Sequence, residues 1–313
     1  MAKGRKRLSK REFRRRQLKR RIYTAMIAGA VMILLVVLRL NYKEEKEENK
    51  TEEIVAPMEE TVEKDPVQEA LKTDQYGAEL AALYQSRPEV EQLILNRQDY
   101  PDWLVEYLIK HSEAMEWVLG YPEAMKKTKE ERDGDVLMGV DLKYFQVRNQ
   151  IPFYLQWDQG WGYAAYGNGL IAVDGCGPTC LSMVATGLMG DTTLTPKKIA
   201  DFSVQEGYYT QDNATDWNLM QAGASKLGLK VIQMDSWSRS AILEQLRAGH
   251  PLICSMGPGD FTSQGHFIVL VGLTEDDSII VNDPNSRVNS RKKWDAQTLL
   301  DQMKGMWAYT VAE

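Results

Sequence analysis

The sequence predicts an α+β domain with an antiparallel sheet, preceded by one transmembrane helix, a charged stalk and a small all-helical module. Three observations carry that prediction. Residues 22–38 form an uncharged, largely apolar run beside a dense basic block. From residue 78 the apolar positions recur at helical spacing, and after the turn-prone ERDGD at 131–135 they give way to short apolar strands mixed with capped helices. In that last part, helices are followed by consecutive strands joined by short turns such as LTEDDS at 273–278, which favours an antiparallel over a parallel sheet.

The first 40 of the 313 residues hold 13 Lys and Arg against a single acid, Glu12, whereas the remainder carries 25 basic and 43 acidic residues, a net of −18. As a helix, 22–38 would span about 26 Å, and Arg21 and Arg39 lengthen the usable span by snorkelling. The positive-inside bias puts residues 1–21 in the cytoplasm, a signal anchor at 22–40 in the cell membrane, and everything beyond it outside. A cleaved signal peptide fits less well, because the basic region is unusually extended and no small-x-small site precedes the Glu-rich segment. Beside an apolar helix the basic block is explained by topology and anionic headgroups, so no nucleic-acid partner is expected.

Residues 41–76 are dense in Glu and Lys with few large apolar side chains and read as a solvated stalk. Residues 77–132 read as a module of short helices: Leu80, Leu83 and Tyr84, then Val90, Leu93 and Ile94, then Trp103, Leu104, Tyr107 and Leu108, then Met115, Val118 and Leu119 share helical faces. Pro88, Pro101 and Pro122 punctuate these runs near first helical turns. No chemistry is expected of the module. Within 133–313, strands are expected at 151–156, 229–234, 252–256, 266–273, 278–283 and 306–311. Helices are expected to start near Gly177, at Thr195 with Pro196 as first residue, near Trp217, at Ser238 and at Asp295.

Only Cys176, Cys180 and Cys254 occur, too few for a disulfide framework. No metal or other cofactor is expected, since no second Cys or His pair stands at ligand spacing. The motif GCGPTC at 175–180 places Cys176 at a helix start, where partial positive charge and free N–H groups favour the thiolate that does nucleophilic chemistry. Cys180 lies one turn further in and reads as packing. Of three histidines, His266 opens the apolar strand GHFIVLVG and can face a cleft, whereas His250 and His111 read as structural or surface residues. VNDP at 281–284 offers Asp283 or Asn282 to orient the imidazole, and strand alternation lets only one of them face it. The Cys176 N–H and the Gln156 side chain are the candidate oxyanion donors, with Gln150 and Gln159 less well placed. Trp157, Trp161, Tyr163 and Tyr166 either line a substrate groove or pack beneath it.

Taken in order, LQWD, GCGPTCLSM, GHFIVLVG and IIVNDPNS resemble the papain-like cysteine peptidases of the bacteriocin-processing type, most closely their stand-alone relatives, over residues 156–311. The helical stretch containing YPDWL and SEAMEWVLGYPE is similar to the segment that commonly precedes such domains. The resemblance implies a papain-like fold with Cys176 as nucleophile, His266 as general base and acid, Asp283 as orienter and Gln156 as oxyanion donor. It departs from the transporter-fused members in having Gly175, with Asp174 one residue further back, before the cysteine, and in a longer separation between Gln156 and Cys176. The implied activity is hydrolysis of peptide bonds in a peptide or protein substrate by an extracytoplasmic, membrane-anchored enzyme. Hydrolysis of cell-wall peptide or amide bonds through the same residues, and a catalytically silent binding ectodomain, are the alternatives.

Overall fold

The computed structural model describes residues 65–311 apart from 211, 213, 233 and 235, so the expected cytoplasmic segment, signal anchor and most of the stalk lie outside the described residues. Among the described residues no helix is long and apolar enough to cross a membrane.

Six helices come first: α1 (Pro66–Thr73), α2 (Gly77–Ser86), α3 (Glu91–Leu95), α4 (Asp102–Lys110), α5 (Met115–Met125) and α6 (Lys129–Gly134). Helix α1 falls in the stretch read above as stalk. Asp65 caps it by accepting from Val67 N at 2.9 Å, Pro66 fills its first position, and Val67 and Leu71 are buried. Two apolar residues one turn apart suffice to anchor a helix of eight residues but are too few to register as a period in the sequence. Pro101 precedes α4 as expected, whereas Pro122 lies inside α5. Leu93, Leu104, Leu108, Met115 and Trp117 form a cluster that also takes in Leu155, Trp157 and Ala172, so the module and the following domain share a core.

The sheet that follows has six strands: β1 (Leu229–Ile232), β2 (Leu252–Met256), β3 (His266–Leu273), β4 (Ile279–Asn282), β5 (Lys293–Trp294) and β6 (Met303–Val311). Their order is β1-β6-β2-β3-β4-β5 and every neighbouring pair is antiparallel. This is the antiparallel sheet of the expected α+β class. Strand β6 begins three residues earlier than its apolar pattern indicates, and β5 is not among the expected strands because two residues carry no alternation. The run expected as a strand at 151–156 pairs only as Ile151–Pro152, in a hairpin with Val147–Arg148 turned by Asn149 and Gln150 at φ 46° and 70°. Pro152 lacks the N–H that would continue a ladder.

Helix α7 (Cys176–Met189) lies against one face of the sheet, and every residue from Gly177 to Thr186 is buried. A helix enclosed on all sides carries no amphipathic stripe, and each fully buried aliphatic side chain contributes about 1.5–3 kcal/mol. Phe267, Val269 and Val271 of β3 pack in the cluster that holds Cys180, Leu181 and Val184 of α7, together with α8 (Pro196–Gln205). Alternation sends Ile268 and Leu270 to the other face, against α9 (Arg239–Arg247) and α11 (Ala296–Gln302). A short α10 (Arg287–Arg291) joins β4 to β5. The helix expected near Trp217 begins at Leu219 as one wide turn and continues through Lys226.

Candidate active site

Cys176 is the first residue of α7, one position earlier than expected. Gly175 precedes it with no side-chain cap, which leaves the first N–H groups of the helix and their partial positive charge beside Cys176. Gly177 follows because a Cβ there would lie 2.7 Å from Thr215 Oγ1. Cys176 is half-buried, whereas Cys180 and Cys254 are fully enclosed and burial pushes both thiols well above their ordinary range. Only the first cysteine combines access to solvent with a helix terminus.

His266 starts β3 and is buried, with Nε2 2.7 Å from Asp283 Oδ1. Extending the register Val269↔Asn282 by one pair sets Asp283 across from Ile268, on the same face as His266. Asn282 points the other way: its Nδ2 donates to Pro152 O at 3.3 Å and its Oδ1 accepts from Arg148. Of the two residues offered by VNDP, the structure brings Asp283 to the imidazole and Asn282 to Pro152 and Arg148. With Nε2 taken, Nδ1 is the nitrogen left for Cys176, which lines the same cleft and raises the imidazole. Burial alone would depress His266, but the Asp283 carboxylate and then Cys176 outweigh it, and the group is pushed up to about 10. Asp283 is itself held: Oδ1 also accepts from Asn285 N at 2.9 Å, Oδ2 accepts from Asn289 Nδ2 at 3.0 Å, and its N–H donates to Ser290 Oγ at 2.8 Å.

Gln156 is placed differently from what an oxyanion donor requires. It lines the same cleft as Cys176, but its Nε2 donates to Ala172 O at 2.8 Å and Val173 O at 3.1 Å, and its Oε1 is buried without a partner. Both amide protons are therefore engaged. Gln159 donates to Glu116 O outside the cleft. The cleft has a volume of about 780 Å³ and is lined by Cys176, His266, Asp174 and the loop before β3. Burial pushes Asp174 up to about 6. The aromatic cluster does not line it: Trp157, Trp161 and Tyr166 are buried, and Tyr163 stacks on Trp117 with its hydroxyl on Trp117 O at 2.8 Å. Trp217, half-exposed against Trp307, lines the cleft instead.

Three further lining residues come from the helical module, Tyr107 and Lys110 of α4 and His111 just after it. His111, expected as structural or surface, reaches the cleft through neighbours that are distant in sequence. Burial, then the charge of His266, lowers it below the usual imidazole range, while Asp283 acts in the opposite sense. His250, by contrast, bonds only Gln245 Oε1 at 2.9 Å through Nδ1. Among the described residues no cluster of His, Cys, Asp and Glu is suited to a metal ion.

Comparison with curated proteins and with solved structures returned no match. Comparison with protein-family models matches residues 148–313, more than half of the chain and the whole of the sheet and helix α7, to the Peptidase_C39 like family. The chain therefore belongs to this family of papain-like cysteine peptidases.

Proposed function

We propose that this chain is a membrane-anchored, extracytoplasmic cysteine peptidase that hydrolyses peptide bonds through Cys176, His266 and Asp283. The observation that carries the reading is the 2.7 Å contact of His266 Nε2 with Asp283 Oδ1 in a cleft that also holds the half-buried Cys176 at a helix start. Family membership supports the reaction class, and the uncharged run at 22–38 behind a basic block supports the anchor and the outward orientation.

In this mechanism the Cys176 thiolate attacks the amide carbon, and the carbonyl electron pair moves onto oxygen. The Cys176 N–H at the open end of α7 donates to that oxyanion; Gln156 joins it only by exchanging its bond to Val173 O. His266, charged and held by Asp283, gives its Nδ1 proton to the leaving amine as the C–N bond breaks, leaving a thioester. Water then loses a proton to His266 and attacks the thioester, releasing the acid and restoring the thiolate–imidazolium pair.

The test is labelling of the full chain in membranes with iodoacetamide at neutral pH. Cys176→Ala should abolish labelling and peptide turnover while Cys180→Ala keeps the label. Equal labelling of both variants, or a labelled wild type that turns over no peptide in an unfolded-protein panel, overturns the peptidase reading.

A further inference from the structure

We propose that the helical module is a working part of the active site, with Tyr107 and His111 acting as positioning residues that hold Asp283 in place through Asn285. The proposal rests on the catalytic reading above and deepens it.

The loop after Asp283 is held almost entirely from upstream. The Tyr107 hydroxyl lies 2.9 Å from Asn285 Oδ1 and 2.9 Å from Ala172 O, and Asn285 Nδ2 donates to His111 Nδ1 at 3.2 Å. Glu113 accepts from Ser286 Oγ at 2.8 Å, Arg287 N at 2.9 Å and Val288 N at 3.2 Å, which closes the open N-terminus of α10. Trp157 Nε1 and Gln156 N reach Asn285 O and Pro284 O at 3.4 and 2.8 Å. Thus Asn285 has both ends of its amide and its carbonyl engaged. Its backbone N–H is the second donor on Asp283 Oδ1, the same oxygen that meets His266.

A chain of hydrogen bonds runs from α4 to the imidazole, from Tyr107 and His111 to Asn285, from Asn285 to Asp283 and from Asp283 to His266, which shares the cleft with Cys176 and is raised by it. Its chemistry is directional. To accept from Asn285, His111 must present an unprotonated Nδ1, and the low imidazole range set by its burial keeps it neutral at physiological pH. The charged groups around it are Lys110, Glu113, His266 and Asp283, with Asp260 across the adjoining hollow. A carboxylate accepting three hydrogen bonds in one geometry holds an imidazolium better than one free to swing, because the orientation is fixed before the charge forms.

The experiment is the pH profile of Cys176 alkylation by iodoacetamide in the full chain, read by mass spectrometry of the Cys176 peptide, with the melting temperature of each variant. The reagent is too small to span the cleft, so substrate contacts do not enter. Tyr107→Phe, which removes one oxygen, and His111→Ala should each move the acid limb up by about one pH unit and slow labelling at pH 6 by roughly tenfold. His111→Asn, whose Oδ1 stands where Nδ1 stood, should restore most of the rate. A lower melting temperature with an unmoved limb overturns the proposal, because the module then only packs. An unmoved limb with a raised KM for peptide also overturns it, because the two residues then touch substrate instead. Absence of any Cys176-dependent labelling in the wild type is a different result and removes the peptidase reading along with the proposal.

Discussion

Replacing Asp283 by Asn keeps the shape of the side chain and removes its charge from a site that is 1% exposed. The Asn oxygen can stay on His266 Nε2 and Asn285 N, while its new NH2 faces the Asn289 amide, which turns to offer oxygen. What changes is the imidazole. Burial pushes His266 down and Asp283 is the main group pushing it up, so without the carboxylate the group falls from about 10 towards its ordinary range, with only Cys176 left to oppose burial. A histidine whose folded pKa is raised stabilises the protein fully below 6.5, and that contribution fades as pH climbs through about 10. Removing one partner of such a buried pair costs on the order of 3–5 kcal/mol. Urea titrations of wild type and Asp283→Asn should therefore differ most near pH 6 and converge towards pH 10, with iodoacetamide labelling of the variant slowed over the same range. A gap that stays constant from pH 6 to 10, or widens with pH, would refute the charged-pair description.

Asp174→Asn should act in the opposite sense. Burial raises this carboxyl to about 6, so its charge opposes folding above that pH; the variant should match wild type near pH 4 and exceed it above pH 6 by about 1 kcal/mol, after discounting for partial exposure. A lower urea midpoint for the variant at pH 7 would contradict this. Gly177→Ala sets a methyl 2.7 Å from Thr215 Oγ1 and 2.9 Å from its Cβ, and Thr215 is itself tied to the Tyr166 hydroxyl at 2.9 Å. The helix start should be displaced at a cost of about 1–3 kcal/mol, visible as a lower melting temperature; an unchanged melt would mean that the Thr215 segment gives way freely.

The features readable in advance were those governed by local rules. GCGPTC announces a helix start through Gly and Pro, the strand GHFIVLVG announces itself by unbroken apolarity, and the two-residue period of a strand reduces VNDP to one carboxylate or one amide. The antiparallel class followed from short turns between consecutive strands. Other features depend on partners far away in the chain. His111 meets Asn285 across 174 residues, and nothing around either predicts the meeting. Gln156 has the right residue type beside the right cleft, yet its donors are claimed by the Ala172 and Val173 carbonyls, because the single turn Ile171–Asp174 ends over it. The aromatic run at 157–166 leaves groove and packing open in the sequence and is mostly core, since Trp117 and the module approach from a side that the local sequence does not announce.

The cluster in which Leu155, Trp157 and Ala172 join Leu104, Leu108 and Trp117 bears on how this protein can be cut and how it can have evolved. A fragment beginning at the first residue of the family match would bare an oily flank where the module had been and would lose the glutamate that closes α10. The transferable cassette is thus wider than the peptidase signature inside it: a gene fusion or a truncated expression clone that keeps the chemistry has to carry the upstream helices with it.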